Sequence, residues 1–207
     1  SYGLTDFKCP NCSKPCSLCV TKILATMPKT ITLISLLITS SFISHAQFAD
    51  SLKSHLLRDW TRSKTYTLDY LKTMPAEKYD FRPQDSIRTF GQQMIHMAQG
   101  TVSLMEAATG SKIPAIINRQ NLETVPAALS KDSVTYFITL SYDYAIEALK
   151  NFNMDSSYQY VRRGNFNVTR LGWILKAYEH QAHHRGQTTI YIRTVGLKPP
   201  NERLFDN

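Results

Sequence analysis

The chain has 207 residues, a formal net charge of +8 and 19% charged residues. That length carries one domain with a proper hydrophobic core. Lys and Arg are scattered, with Arg162-Arg163 the only adjacent pair, so the basic stripe of a nucleic-acid surface is missing and no nucleic-acid partner is expected.

All four cysteines stand in the pattern Cys9-x2-Cys12-x3-Cys16-x2-Cys19. The two Cys-x2-Cys pairs have the form of metal knuckles for zinc or a cluster. Zinc ribbons, however, separate theirs by ~15–20 residues, and here three intervene. Residues 1–26 are therefore read as an extension upstream of a natural start at Met27. After it come Lys29, the apolar run Ile31–Ile43 and the triplet Ser44-His45-Ala46, the layout of a secretory signal peptide cut after Ala46. The run is dotted with Ser and Thr and falls short of the ~20 apolar residues that span a bilayer. The expectation is an exported protein, periplasmic or secreted, without a stable membrane span. From Gln47 onward no cysteine remains, which excludes thiol nucleophiles and disulfides, and the net charge is about +5.

The segment Gln47–Asn207 is read as helices, with no strand expected. Leu52, Leu56, Trp60, Ser63, Thr67, Leu71 and Met74 recur at three- and four-residue steps until Pro75. Thr89-x-x-Gln92 is a capping box that opens a second helix through Phe90, Met94, Met97, Thr101 and Met105, closed near Gly110. Ser130 caps a third, carrying Val134, Phe137, Ile138, Ala145, Leu149 and Phe152. Thr169 caps a fourth, with Leu171, Ile174, Leu175, Tyr178, Ala182, Arg185 and Ile192 along one side, ended by Gly196 and Pro199-Pro200. Four amphipathic helices with wide apolar stripes predict an all-α four-helix bundle. The connections are long, above all Thr109–Leu129 and Asn153–Val168, so simple up-down-up-down order is not forced. The tract Asn167-Val168-Thr169 fits a glycosylation sequon and equally well a helix cap.

Three histidines fall in Glu179-His-Gln-Ala-His-His-Arg-Gly-Gln187. His180 and His184, four apart, point the same way on a helix and can share one ion. Such a pair alone is more often solvated than metal-bound. His96 on the second helix adds a third imidazole. If helices two and four run antiparallel, with Ala108 level with Arg170, His96 lies ~18 Å from that end; His180 and His184 lie ~15 and ~21 Å from it. Helices packed ~8–10 Å apart then bring all three around one divalent ion, of which imidazoles favour zinc, nickel, copper or iron. His183 points ~100° away from His184. His55 lies ~18 Å too far along the first helix. Gln187 and Tyr191 continue the His180/His184 stripe toward the site, Tyr191 equally well as core. Zinc proteases place Glu directly after the first histidine of His-Glu-x-x-His; Gln181 fills that slot here, and Glu179 faces elsewhere.

The tracts Tyr79–Pro83 (YDFRP), Thr89–Gln99 with His96, and His180–Pro200 ending in Gly196-x-x-Pro199-Pro200 resemble the DinB-like (DinB/YfiT-type) family of metalloenzymes. The resemblance covers essentially all of Gln47–Asn207. It implies a four-helix bundle in up-down-down-up order, with helices two and four antiparallel. It also implies a divalent metal held by three histidines, matching His96, His180 and His184. Relatives include thiol-dependent S-transferases and isomerases, so the resemblance is specific for the family and not for a substrate.

The leading expectation is a metal-dependent enzyme of hydrolase or transferase type acting on a small molecule. Export weakens the thiol-transfer branch, because low-molecular-weight thiols are concentrated in the cytoplasm. The alternative is a non-catalytic periplasmic bundle that binds a metal or a ligand, and a homodimer is left open. No general acid or base stands out.

Overall fold

A stretch of 45 residues without Gly or Pro, Lys29–Thr73, forms the first helix, α1, in the structure, a computed structural model. It begins well upstream of the predicted Leu52, because nothing after Pro28 breaks a helix before Pro75. Residues 29–118 and 120–205 are described, with side chains from Gln47 onward. The cysteine motif, the extension to residue 26 and the side chains of the expected signal segment lie outside them. The chain divides into two compact units, Ser1–Phe48 and Ala49–Asn207. The first shows the helical backbone of α1 up to Phe48; the bundle is built within the second.

Three side-chain caps start the remaining long helices where the sequence places them. Thr89 accepts from Gln92 N while Gln92 reaches back to Thr89 N, opening α2 (Phe90–Thr109), which closes at Gly110 with φ 74°. Ser130 accepts from Ser133 N at the start of α3 (Lys131–Asn151). Thr169 accepts from Gly172 N at the start of α4 (Arg170–Thr194), so the hydroxyl of the sequon-like tract is engaged as a cap. Each such cap contributes ~1 kcal/mol.

Contacts at the helix ends give the helix directions. Lys53 Nζ donates to Phe152 O, Lys64 to Asp143, and Lys131 to Met74 O, so α1 and α3 are antiparallel. Arg170 donates to Ala108 O and Tyr191 OH to Arg88 O, which sets α2 against α4 in opposite directions. Arg62 bonds Tyr178 and Tyr70 bonds Thr189, so α1 and α4 run parallel. The order is up-down-down-up.

The core centres on Trp60, fully buried, whose ring meets Tyr142 of α3 at 5.8 Å and Tyr178 of α4 at 5.6 Å, both edge-on. Burying side chains of this kind contributes roughly 1.5–3 kcal/mol each. Several polar groups inside are paired. Tyr142 OH donates to Gln181 Oε1 at 2.7 Å, and Arg185 donates to the same oxygen while its guanidinium lies 4.7 Å from the Tyr66 ring centre.

The expectation of no strands is corrected. Antiparallel strands β1 (Tyr160–Arg163) and β2 (Phe166–Thr169) form a hairpin, turning through Gly164-Asn165 with Gly164 at φ 57°. Glycine reaches that left-handed conformation without steric cost, which suits a two-residue loop. The hairpin feeds directly into α4, since Thr169 is both its last residue and the helix cap. Among the described residues no helix is long and apolar enough to cross a membrane.

Candidate metal centre

The antiparallel α2/α4 pair is fastened at both ends by the Arg170–Ala108 and Tyr191–Arg88 hydrogen bonds. Between those ties the pair carries three imidazoles to one level. Ring centres are 4.4 Å apart for His180 and His184, 4.6 Å for His96 and His184, and 5.5 Å for His96 and His180. One ligating nitrogen from each lies within 4.8 Å of the other two. Each side chain is oriented by a different device.

His96 is held from the loop between α2 and α3. Its Nδ1 lies 2.8 Å from Glu123 Oε1, and Arg88 Nε donates to the second oxygen at 2.5 Å. Burial pushes the Glu123 carboxyl up, but the hydrogen bonds from Arg88 and His96 outweigh it and leave its pKa below the usual range. An ionised Glu123 accepts the Nδ1 proton, which leaves Nε2 of His96 with its lone pair free.

His184 Nδ1 sits 2.8 Å from Gln93 Nε2 and 3.0 Å from Gln187 Oε1, and the two amides also bond each other. Its Nε2 is again the free nitrogen. His180 rests on bare backbone: a Cβ added at Gly100 would lie 2.2 Å from His180 Cε1. Only glycine leaves room there for the ring. His180 Nδ1 is buried and has no hydrogen-bond partner, a cost of about 1–3 kcal/mol that a cation on that nitrogen would offset.

Burial, then the neighbouring imidazoles, hold His180 and His184 down to about 4, from an ordinary 6.5. Both are neutral at pH 7, the state in which imidazole donates to a metal. Three imidazoles converging on one point, with His180 both seated in a glycine notch and carrying an orphaned buried nitrogen, fit a divalent ion of the zinc, nickel, copper or iron type. A cleft of about 840 Å³ with a mixed polar and apolar lining opens beside them, with Arg88, Gln93, Glu123, His184, Gln187 and Ile190 among its walls.

The remaining sequence candidates fall outside the cluster. His183 is exposed, its ring 4.9 Å from His184 at the mouth of the cleft. His55 pairs with Asp59 on the exposed face of α1 at 3.4 Å. Glu179 is exposed and bonds Lys176. Gln187 touches His184, whereas Tyr191 is buried against Phe90 at 6.2 Å between ring centres. Sequence reasoning missed Glu123, Gln93 and Gly100. Of these only Gly100 left a local signal, a glycine in the interior of an otherwise strong helix.

Comparison with known proteins agrees with this architecture. The fold resembles that of a DinB-like protein from Bacillus cereus ATCC 10987, with a TM-score of 0.61 and 19% identity over 72% of this chain and 95% of that one. It also resembles that of a DinB-like protein, YjoA, from Bacillus subtilis, with a TM-score of 0.58 and 12% identity over 73% of this chain and 99% of that one. At such identities the likeness speaks to fold alone. No curated protein matches the chain. The model of the DinB family matches residues 47–206, which takes in α1 from Gln47 onward, α2, α3, α4 and every residue of the histidine cluster, and the chain belongs to that family.

Proposed function

We propose that His96, His180 and His184 hold a divalent metal ion, and that the chain is a metal-dependent enzyme of hydrolase or transferase type acting on a small molecule. The observation that carries this reading is the convergence of one nitrogen from each of three imidazoles, all within 4.8 Å of one another. Three protein ligands leave coordination positions open, and an ion so held supplies Lewis acidity, polarising a substrate oxygen or lowering the pKa of water toward ~7.

The protein's own groups do the positioning. Glu123 orients His96, and Arg88 holds the Glu123 carboxylate in place at the cleft wall. Gln93 and Gln187 fix His184. The larger cleft gives a small molecule access from the His184 side. Hydrolysis is favoured over thiol transfer on the expectation of export, which places the chain away from cytoplasmic thiols.

The test is metal analysis of protein purified without a histidine tag, followed by ester, amide and phosphoester substrates with and without added metal. Near-stoichiometric metal and metal-dependent turnover are expected. Metal without turnover would make the chain a binding bundle instead. Absence of metal after exposure to excess zinc, nickel and iron would refute the site.

A further inference from the structure

A second cleft, of about 520 Å³, borders the histidine cluster on the side away from Arg88 and Gln93, between the hairpin and α4. Its walls include Leu104 of α2, Phe166 and Val168 of β2, Trp173 of α4, and His180. That volume lies in the range of small-molecule sites, which are mostly apolar with a few placed polar groups. Lys176 and Glu179 at its rim bond each other, and His183 lines both clefts.

The walls are built rather than loose. Trp173 is 6% exposed and donates from Nε1 to Val161 O at 3.1 Å. A Cβ at Gly172 would come within 2.5 Å of Val168 Cγ1, so β2 packs tightly on the first turn of α4. Arg163 ties the hairpin to α2 by donating to Ser103 O. On this fixed base Phe166 stands with its ring edge-on to Trp173 at 6.5 Å and 67% exposed. An aromatic side chain that could bury far more area is left open on the cleft side.

We propose that this cleft seats the apolar arm of the substrate, an aromatic or branched aliphatic group attached to the reacting centre, against Phe166 and Trp173. The inference rests on the metal-site reading above, because His180 belongs to both the cleft and the histidine cluster. A ring lying against Phe166 and Trp173 therefore leaves the polar end of the same molecule beside the cluster. The larger cleft on the Arg88 and Gln93 side then admits water or a leaving group. Substrates would be amphiphilic, such as aryl- or alkyl-substituted esters and amides, rather than small uniformly charged ones.

Two hydroxamates test this on the zinc-loaded full chain: acetohydroxamate, and 3-phenylpropionohydroxamate, which adds a phenyl arm to the same chelating head. Burying a phenyl group at ~25 cal/mol per Å² predicts a gain of about tenfold or more from the arm. Phe166→Ser removes one exposed wall, so most of that gain should vanish while acetohydroxamate affinity and zinc content stay unchanged. Phe166→Leu should restore much of it. The chain has two tryptophans, and in NMR spectra the indole N–H of Trp173 should shift with the phenyl probe while that of Trp60 stays still. An arm gain that survives Phe166→Ser, or an unmoved Trp173 signal, would overturn the proposal with the metal site intact. If the wild-type chain takes up no zinc, the metal reading falls. The neutral probe 3-phenylpropionamide then decides the cleft separately, a Trp173 shift supporting it and silence overturning it.

Discussion

Gly100→Ala separates the metal centre from the fold that carries it. The new methyl would stand 2.2 Å from His180 Cε1, 2.7 Å from Nε2 and 3.0 Å from Nδ1. Ordinary contacts begin at 3.4 Å, so Cε1 must retreat by at least 3.4 − 2.2 = 1.2 Å. Metal–nitrogen distances tolerate only about 0.2 Å, so His180 leaves the ligand set and zinc affinity should fall by more than ~100-fold, beyond what losing an orienting contact costs. The fold should respond in the opposite direction. Ala is better than Gly inside a helix by about 1 kcal/mol, and the partly exposed His180 ring can swing into the neighbouring cleft without disturbing the core. Metal-free Gly100→Ala should therefore unfold at the same or a higher urea concentration than wild type. Zinc competition against a chelating dye, and urea unfolding in EDTA followed by circular dichroism, measure the two effects independently. Gly186→Ala on α4 is the control, since its added Cβ meets nothing within 4 Å; it should gain stability and keep its zinc affinity. Wild-type zinc binding in Gly100→Ala would show that the His180 ring is not a ligand seated on α2. Equal zinc loss in both variants would show a general effect of stiffening the helices.

His96→Ala, His180→Ala and His184→Ala should each lose most of their metal at equal folded fraction, while His183→Ala and His55→Ala keep it; equal loss from His183→Ala and His184→Ala would contradict the helical register. Glu123→Gln should weaken zinc ~10–100-fold by loosening His96, with stoichiometry retained at saturating zinc, and unchanged affinity in a zinc titration would remove Glu123 from the site. A chain beginning at Gln47 should bind as much zinc as the full chain; loss of metal on that truncation would move the site to the cysteine motif. The pH dependence follows from the two imidazoles held down to about 4 from 6.5. Below pH 6.5 the unfolded chain takes up protons that the folded, metal-free chain refuses until about pH 4. Stability in EDTA should therefore fall as pH drops through that window, level off beneath it, and be untouched by these groups above it. Urea midpoints of His180→Gln and His184→Gln should change less with pH, and curves parallel to wild type would refute the assignment.

What the sequence made legible was whatever repeats along one helix or marks its ends. Thr89-x-x-Gln92, Ser130 and Thr169 cap the helices they were expected to cap, because a cap is a contact between residues three apart and needs no knowledge of the fold. The His180/His184 pair is local in the same sense. Only its union with His96 required a guess about depth, which the Arg170–Ala108 hydrogen bond makes concrete. The hairpin was readable but unread: Gly164-Asn165 is a two-residue turn signal, flanked by too few apolar alternations to mark strands in what reads as the connection Asn153–Val168. Glu123 was beyond reach. It sits in an aperiodic connection 27 residues from His96, in a single 3₁₀ turn capped by Asn121, and no spacing rule says where such a turn folds back.

Gly100 is the instructive case, because its signal was a cost rather than a pattern. A glycine between Gln99 and Thr101 weakens a helix by about 1 kcal/mol against alanine, and α2 has no kink or cap there to account for it. The ring of His180 supplies the reason, since it occupies the volume that any Cβ would fill. An unexplained local penalty in the middle of a well-formed helix thus points across the interface to the residue that needs the space. In this chain that residue is the imidazole whose buried nitrogen lacks a partner. The two anomalies, a glycine where alanine is better and a buried nitrogen with no partner, meet in the His180 ring: the notch at Gly100 seats it, and a metal ion on that nitrogen would supply the missing partner.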